Sequence, residues 1–303
     1  MRFKPTHSLN PLFITAFLLH LFIEDSAAVQ CTSNQISSLN VAGCDCQQHG
    51  VPLKCPLYAP QCDSLVAPST VVRINPNNGG LNLWGDGCID GNFACNGCYL
   101  WFGSLCRCLK PAGTCTLTTP AVAGNPIWAL LEDHMLITTT QKLPGILELH
   151  LAPEPNRGWL LGQDTLRNPP QGVTYTRATG ALAMNSVATR TEEQIHIHVC
   201  DNPTSIVRRE LSMLTRSSYT TLTNVPIAGI PANSLKCQVA PFSGTNVNVA
   251  TAIFDELNSI PNYAASCDKF RVGAGLITDI HGYTWVCVTT STRAAEDLFC
   301  HFP

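Results

Sequence analysis

The chain predicts an α+β domain preceded by a small disulfide-rich module, and three observations carry that expectation. Ten of the sixteen cysteines fall between Cys31 and Cys108, in a stretch dense in Gly, Pro and Asn with almost no helical periodicity. From Pro111 onward the composition becomes that of an ordinary globular domain, where runs alternating every second residue stand between runs at helical spacing. Ahead of both lies a basic start followed by a short apolar run, which reads as a leader rather than as part of the fold.

Composition bounds the possibilities. A chain of 303 residues with 45% hydrophobic composition and a net charge of −3 can bury a sizeable core in one or two domains. Its 18 basic residues are set against 21 acidic ones without any basic run, so the sequence offers no electrostatic footprint for nucleic acid or for a charged membrane surface.

Arg2, Lys4 and His7 precede the apolar run from Pro11 to Ile23, and the small residues Ser26, Ala27 and Ala28 follow it. This pattern predicts a secretory signal peptide over residues 1–28. The run is shorter than the roughly 20 apolar residues that a bilayer span needs, and no later segment is long and apolar enough either. The mature chain is therefore expected to be secreted and without a membrane span, which suits cysteines that pair in an oxidising compartment.

Residues 29–110 read as a loop-rich module held by bridges. Cys44 and Cys46, Cys95 and Cys98, and Cys106 and Cys108 stand at spacings that zinc sites also use, but in a secreted chain oxidation to disulfides competes with metal binding. Exposed aromatics at Trp84 and from Tyr99 to Phe102 would suit contact with a glycan or a surface, and would equally suit the filling of a small core. A cut near Lys110 leaves ten cysteines before it and six after, an even number on each side that allows five bridges and three. A cut after Cys115 leaves eleven and five, with Cys200 free or tied across domains.

Residues 111–303 form the second domain. Asn125 and Pro126 are suited to open a short helix over residues 125–133, with a strand following over 135–140. Residues 145–152 alternate and read as a strand, and the proline-containing stretch 153–172 reads as a long loop, a lid or a binding loop. A short apolar strand at 181–184 leads into residues 185–200. After Asp201, Asn202 and Pro203 break the next strand, Thr204 or Ser205 caps a helix at 206–214; a second helix is expected at 248–258, a strand pair over 272–289 turning at His281 and Gly282, and a last amphipathic turn at 292–299. Cys287 and Cys300 are placed by sequence to hold that turn down.

Reactive residue types concentrate in residues 185–200. Gln194, His196, His198 and Cys200 alternate with Ile195, Ile197 and Val199, so a strand here puts an amide, two imidazoles and a thiol in one row and an aliphatic row on its other face. Two histidines on one strand face make either a metal site or a nucleophile with its helper. The metal reading needs a third protein ligand, for which His150, His281 and Glu148 are the candidates, none at a recognisable spacing. In the nucleophile reading, a neutral imidazole attacks phosphorus while small polar donors orient it and arginines neutralise the phosphoryl oxygens. Asn185, Arg190, Thr191 and Gln194 supply the donors, and Arg208 or Arg209 the charge.

The run Asn185-Ser186, Arg190-Thr191 and Gln194-Ile-His196-Ile-His198 resembles the signature of CDP-diacylglycerol pyrophosphatases, members of the histidine-triad-like superfamily. The similarity continues through Pro203 and Arg208-Arg-Glu-Leu, and through the stretch from Val272 by way of His281-Gly-Tyr-Thr-Trp-Val and Ala295-Glu-Asp-Leu to Cys300. It covers roughly residues 115–303. It implies a histidine-triad-like antiparallel sheet with helices, and cleavage of a nucleotide-linked pyrophosphate bond, in this family CDP-diacylglycerol to CMP and phosphatidate, with no cofactor or metal. It makes His198 the nucleophile and His196 its orienting partner, with Cys200 at the third position of the triad; a second register would make His196 the nucleophile. Asn185, Arg190, Thr191, Gln194 and Arg208 become substrate-binding residues.

The sequence departs from that pattern where Val187-Ala-Thr189 replaces a glycine and where Glu192 and Glu193 replace neutral residues. A bridge is the preferred state of Cys200. A two-histidine phosphodiesterase is excluded, since the chain holds no His-x-Ser or His-x-Thr. The alternatives kept open are a secreted binding or effector protein that has the scaffold without turnover, and a zinc-dependent hydrolase using His196 and His198.

Overall fold

The computed structural model describes residues 33–44, 46, 100–118, 127–141, 143, 145–190, 194–263, 266 and 268–302, for 33, 34 and 100–103 the backbone alone. The expected leader, most of the cysteine-rich stretch with its aromatic side chains at 84 and 99–102, Thr191, and the pair Glu192 and Glu193 lie outside the described residues. The described chain is α+β.

One antiparallel sheet organises it, from Thr116–Leu117 (β1), Trp128–Leu130 (β2), Leu136–Thr139 (β3), Gly180–Met184 (β4), His196–Asp201 (β5), Thr223–Asn224 (β6), Leu235–Val239 (β7), Gly273–Thr278 (β8) and Thr284–Thr289 (β9). Their spatial order is β1-β2-β3-β5-β4-β8-β9-β7-β6, with β5 and β4 in the middle. Directly paired residues share a face. Ile197, Leu182, Leu276 and Val286 therefore point one way, into a core closed by the helices Arg157–Arg167 (α3) and Val249–Ser259 (α5). His198, Cys200, Ala181, Ala183 and Ile277 point the other way. That second face is covered in two places. The helix Ile206–Ser212 (α4) and the C-terminal π-helical turn Asp297–His301 close one, and the helices Ser33–Ser37 (α1) and Leu100–Leu109 (α2) close the other, against Ala129, Leu131 and Leu136.

Local chemistry explains the elements that match expectation. Ser205 caps α4 by accepting from the Arg208 N–H, and Asn248 caps α5 by accepting from that of Thr251. Gly282, at φ 83, takes the left-handed position of the turn between β8 and β9.

Three expectations are corrected. Trp128–Leu130 are strand, not helix: the run from Ile127 to Leu131 is buried throughout, and a short apolar run buried on both faces has no period that tells the two apart. Residues 146–151 form a 3₁₀ turn, not a strand, because Ile146, Leu147 and Leu149 are the buried ones while Leu151 is exposed. The stretch 153–172 is not a loop throughout. Its prolines flank a proline-free helix, α3, whose Gly162 sits where a Cβ would come within 2.6 Å of Leu182 Cδ1, so glycine here allows helix and sheet to approach closely.

The bridges also differ from expectation. Cys200 is paired with Cys300 and Cys237 with Cys287, so Cys287 and Cys300 do not pair with each other. Cys108–Cys115 crosses position 110, which removes the even division of bridges on either side of that cut, and Cys46–Cys106 ties the amino-terminal segment to α2.

Candidate active site

β5 presents its two imidazoles between small neighbours. His198 pairs with Ala183 of β4, and Ala183 pairs in turn with Gly275 of β8, so the side chains shrink along one row across the sheet. A Cβ on Gly275 would lie 2.1 Å from the ring of Phe299. The missing side chain is what lets the C-terminal turn descend onto the sheet beside the histidine.

That turn brings Glu296 to the site. Glu296 Oε1 lies 3.3 Å from His198 Nδ1. Asn185, just past the end of β4, accepts the Glu296 N–H through Oδ1 at 3.0 Å and donates through Nδ2 to Oε2 at 3.4 Å. No local spacing marks Glu296, which is why a reading of motifs passes over it: it belongs to the C-terminal stretch of the resemblance, far along the chain from His198.

His196 is buried, and its Nδ1 lies 2.7 Å from the Gln194 carbonyl. The two rings meet edge to face with centroids 4.9 Å apart. Both imidazoles thus direct Nδ1 at an oxygen, which sets the proton there and the lone pair on Nε2. Burial first, then the nearby His196 and His301, pushes the His198 imidazole down to about 2. His198 is accordingly neutral at physiological pH. Its Nε2 is enclosed and, among the described residues, without a hydrogen-bond partner.

The other expected residues are placed as follows. Gln194 is fully buried and its amide donates to Thr138 Oγ1, Thr139 O and Gln141 O, fastening β5 to β3. Arg190, 4% exposed, lays its guanidinium against Gly145 at the start of the 3₁₀ turn, so closely that a Cβ there would overlap it. Arg208 is 3% exposed and donates to the carbonyls of Ala178, Thr278, Thr179, Gly180 and Asn202. Both of its terminal nitrogens are committed to backbone at the far end of β4 and β8. The phosphate role expected for Arg208 is therefore corrected to one of fold closure, and burial pushes this guanidinium down to about 10, still charged at neutral pH. Arg209 is exposed.

Chemically, an enclosed neutral imidazole with a bare Nε2 can attack an electrophile or bind a metal. Among the described residues no group of three or more His, Cys, Asp or Glu is arranged to hold a metal ion. Of the candidate third ligands, His150 and His281 are exposed, the former on the 3₁₀ turn and the latter at the turn between β8 and β9, and Glu148 is half-buried on the same 3₁₀ turn as His150. No family model matches the chain, and no curated protein matches it either.

Proposed function

We propose that the protein is a secreted hydrolase of nucleotide-linked pyrophosphate bonds with a histidine-triad-like fold, that His198 is its nucleophile, and that CDP-diacylglycerol is its substrate. The observation that carries this reading is a neutral imidazole whose Nδ1 is held by a carboxylate, which leaves the Nε2 lone pair without a hydrogen-bond partner among the described residues. Nε2 attacks the phosphorus next to the nucleoside, and the bond from that phosphorus to the bridging oxygen breaks. Phosphatidate leaves with the electron pair, and a nucleotidyl phosphoramidate remains on His198. Water then attacks the same phosphorus, the P–N bond breaks, and CMP leaves as the imidazole returns to neutral. His196 orients the neighbouring ring through their edge contact. Four bridges among the described residues support the secreted location.

The test is to quench the protein with labelled CDP-diacylglycerol and look for label held on histidine, alongside CMP release. His198→Ala is expected to abolish both. His196→Ala is expected to lower the rate by about 10²-fold, in the range for loss of an oriented acid–base partner. The enclosure of Nε2 favours one second reading, a binding protein that kept the scaffold without turnover; it predicts no CMP release and no labelled histidine in the wild type. Loss of activity on chelation would instead return the zinc reading.

A further inference from the structure

Two links join β5 to the C-terminal turn, one residue pair apart. On β5, His198 and Cys200 are separated by one residue and lie on the same face. At the other end Glu296 and Cys300 are four positions apart, close to one helical turn. His198 Nδ1 meets Glu296 Oε1 at 3.3 Å, and Cys200 is bridged to Cys300 with Cα atoms 5.6 Å apart. The hydrogen bond and the bridge are neighbouring rungs between the same two surfaces. Asn185 completes the frame by binding the Glu296 N–H and Oε2, so each carboxylate oxygen has its own partner.

We propose that Glu296 is the positioning residue of His198, and that the Cys200–Cys300 bridge keeps its carboxylate in register with the imidazole. The role assigned to the pair rests on His198 being a nucleophile; the tautomer it fixes does not. A proton on Nδ1 shared with Glu296 leaves the lone pair on Nε2. When Nε2 bonds to phosphorus the ring becomes cationic, and its Nδ1–H then faces a carboxylate across a charge-assisted hydrogen bond. Without the bridge the turn still has other fastenings, since Asn202 Nδ2 donates to Phe299 O at 3.2 Å and Phe302 O at 2.9 Å. The bridge thus governs register more than docking, and variants lacking it are expected to fold.

The experiment compares the full chain with Glu296→Gln, with the double variant Cys200→Ser and Cys300→Ser, and with all three changes together. One readout is the rate of labelled-histidine formation from CDP-diacylglycerol, the other the His198 tautomer by imidazole ¹⁵N NMR. Glu296→Gln is expected to slow the covalent step about 10²-fold with little change in KM, and Glu296→Asp to restore part of the rate. The bridge-free variant should lose about tenfold. The triple variant should be no slower than Glu296→Gln, because both changes act through one contact. In the wild type the proton should sit on Nδ1, and Glu296→Ala should move it to Nε2. Wild-type rates in Glu296→Gln, losses that simply multiply, or an unmoved tautomer in Glu296→Ala would each overturn the proposal. If the wild type forms no labelled histidine, the hydrolase reading fails and the tautomer alone decides the positioning.

Discussion

His198 is kept neutral by burial, and the sign of its contribution to stability follows. Unfolded, the imidazole titrates at its ordinary 6.5, whereas folded it is pushed down to about 2. Between those values the unfolded chain binds a proton that the folded chain excludes, so stability is fully present above pH 6.5 and drains away as the pH falls through that window. The slope is at most about 1.4 kcal/mol per pH unit, for the one proton taken up. Urea unfolding at about pH 7.5 and about pH 5 is expected to cost the wild type up to about 2 kcal/mol more than it costs His198→Asn, and parallel losses would refute the assignment. Sequence could place this imidazole on a row with His196, because alternation is local. It could not place Arg208, whose carbonyl partners at residues 178–180 and 278 are gathered only by the sheet. An arginine shortly after a histidine strand reads as a phosphate ligand until those carbonyls are seen.

At the scale of elements, the site depends on how near the C-terminal turn can come to the sheet. The row His198, Ala183, Gly275 is legible as three strand residues, but its meaning comes from Phe299, which fills the space a side chain on Gly275 would take. Gly275→Ala forces that ring to move and with it the turn that carries Glu296. Overpacking of this kind is expected to cost about 1–3 kcal/mol, and activity should fall further than in a variant destabilised equally elsewhere. Thermal unfolding alongside rate measurements checks this, and an active, undisturbed Gly275→Ala would contradict it. The elements misread from sequence have separate causes. Around α3 the prolines that read as a loop stand outside the helix, whose glycines allow close contact with Leu182 and Trp128; in residues 146–151, leucines that alternate are buried at a different spacing. The capped helices α4 and α5 and the last strand pair were legible because caps and turn residues act within a few positions.

Over the whole molecule, the amino-terminal segment and the sheet share a core. Leu105, Cys106 and Cys108 on α2 pack with Ile36 and Val41 and with Ala129, Leu131 and Leu136 of the sheet region. Leu136 stands directly beside His198 in the register of β3 with β5. The cover over this end of the histidine-bearing face is thus supplied by residues before position 110, and Cys108–Cys115 fastens the two parts across that position. The composition shift near Pro111 marks a change in how the chain is built, from bridges to a hydrophobic core, and contacts continue across it. A chain of residues 111–303 carrying Cys115→Ser is therefore expected to leave Ala129, Leu131 and Leu136 exposed. The lost apolar cover should lower stability by about 3 kcal/mol, from the value of one or two leucine side chains returned to water. A lower melting temperature and new binding of a hydrophobic dye, each measured against the full chain carrying the same Cys115→Ser change, are the expected outcomes. Equal melting temperatures would mean that the second part folds independently and that α2 rests on the sheet without supporting it.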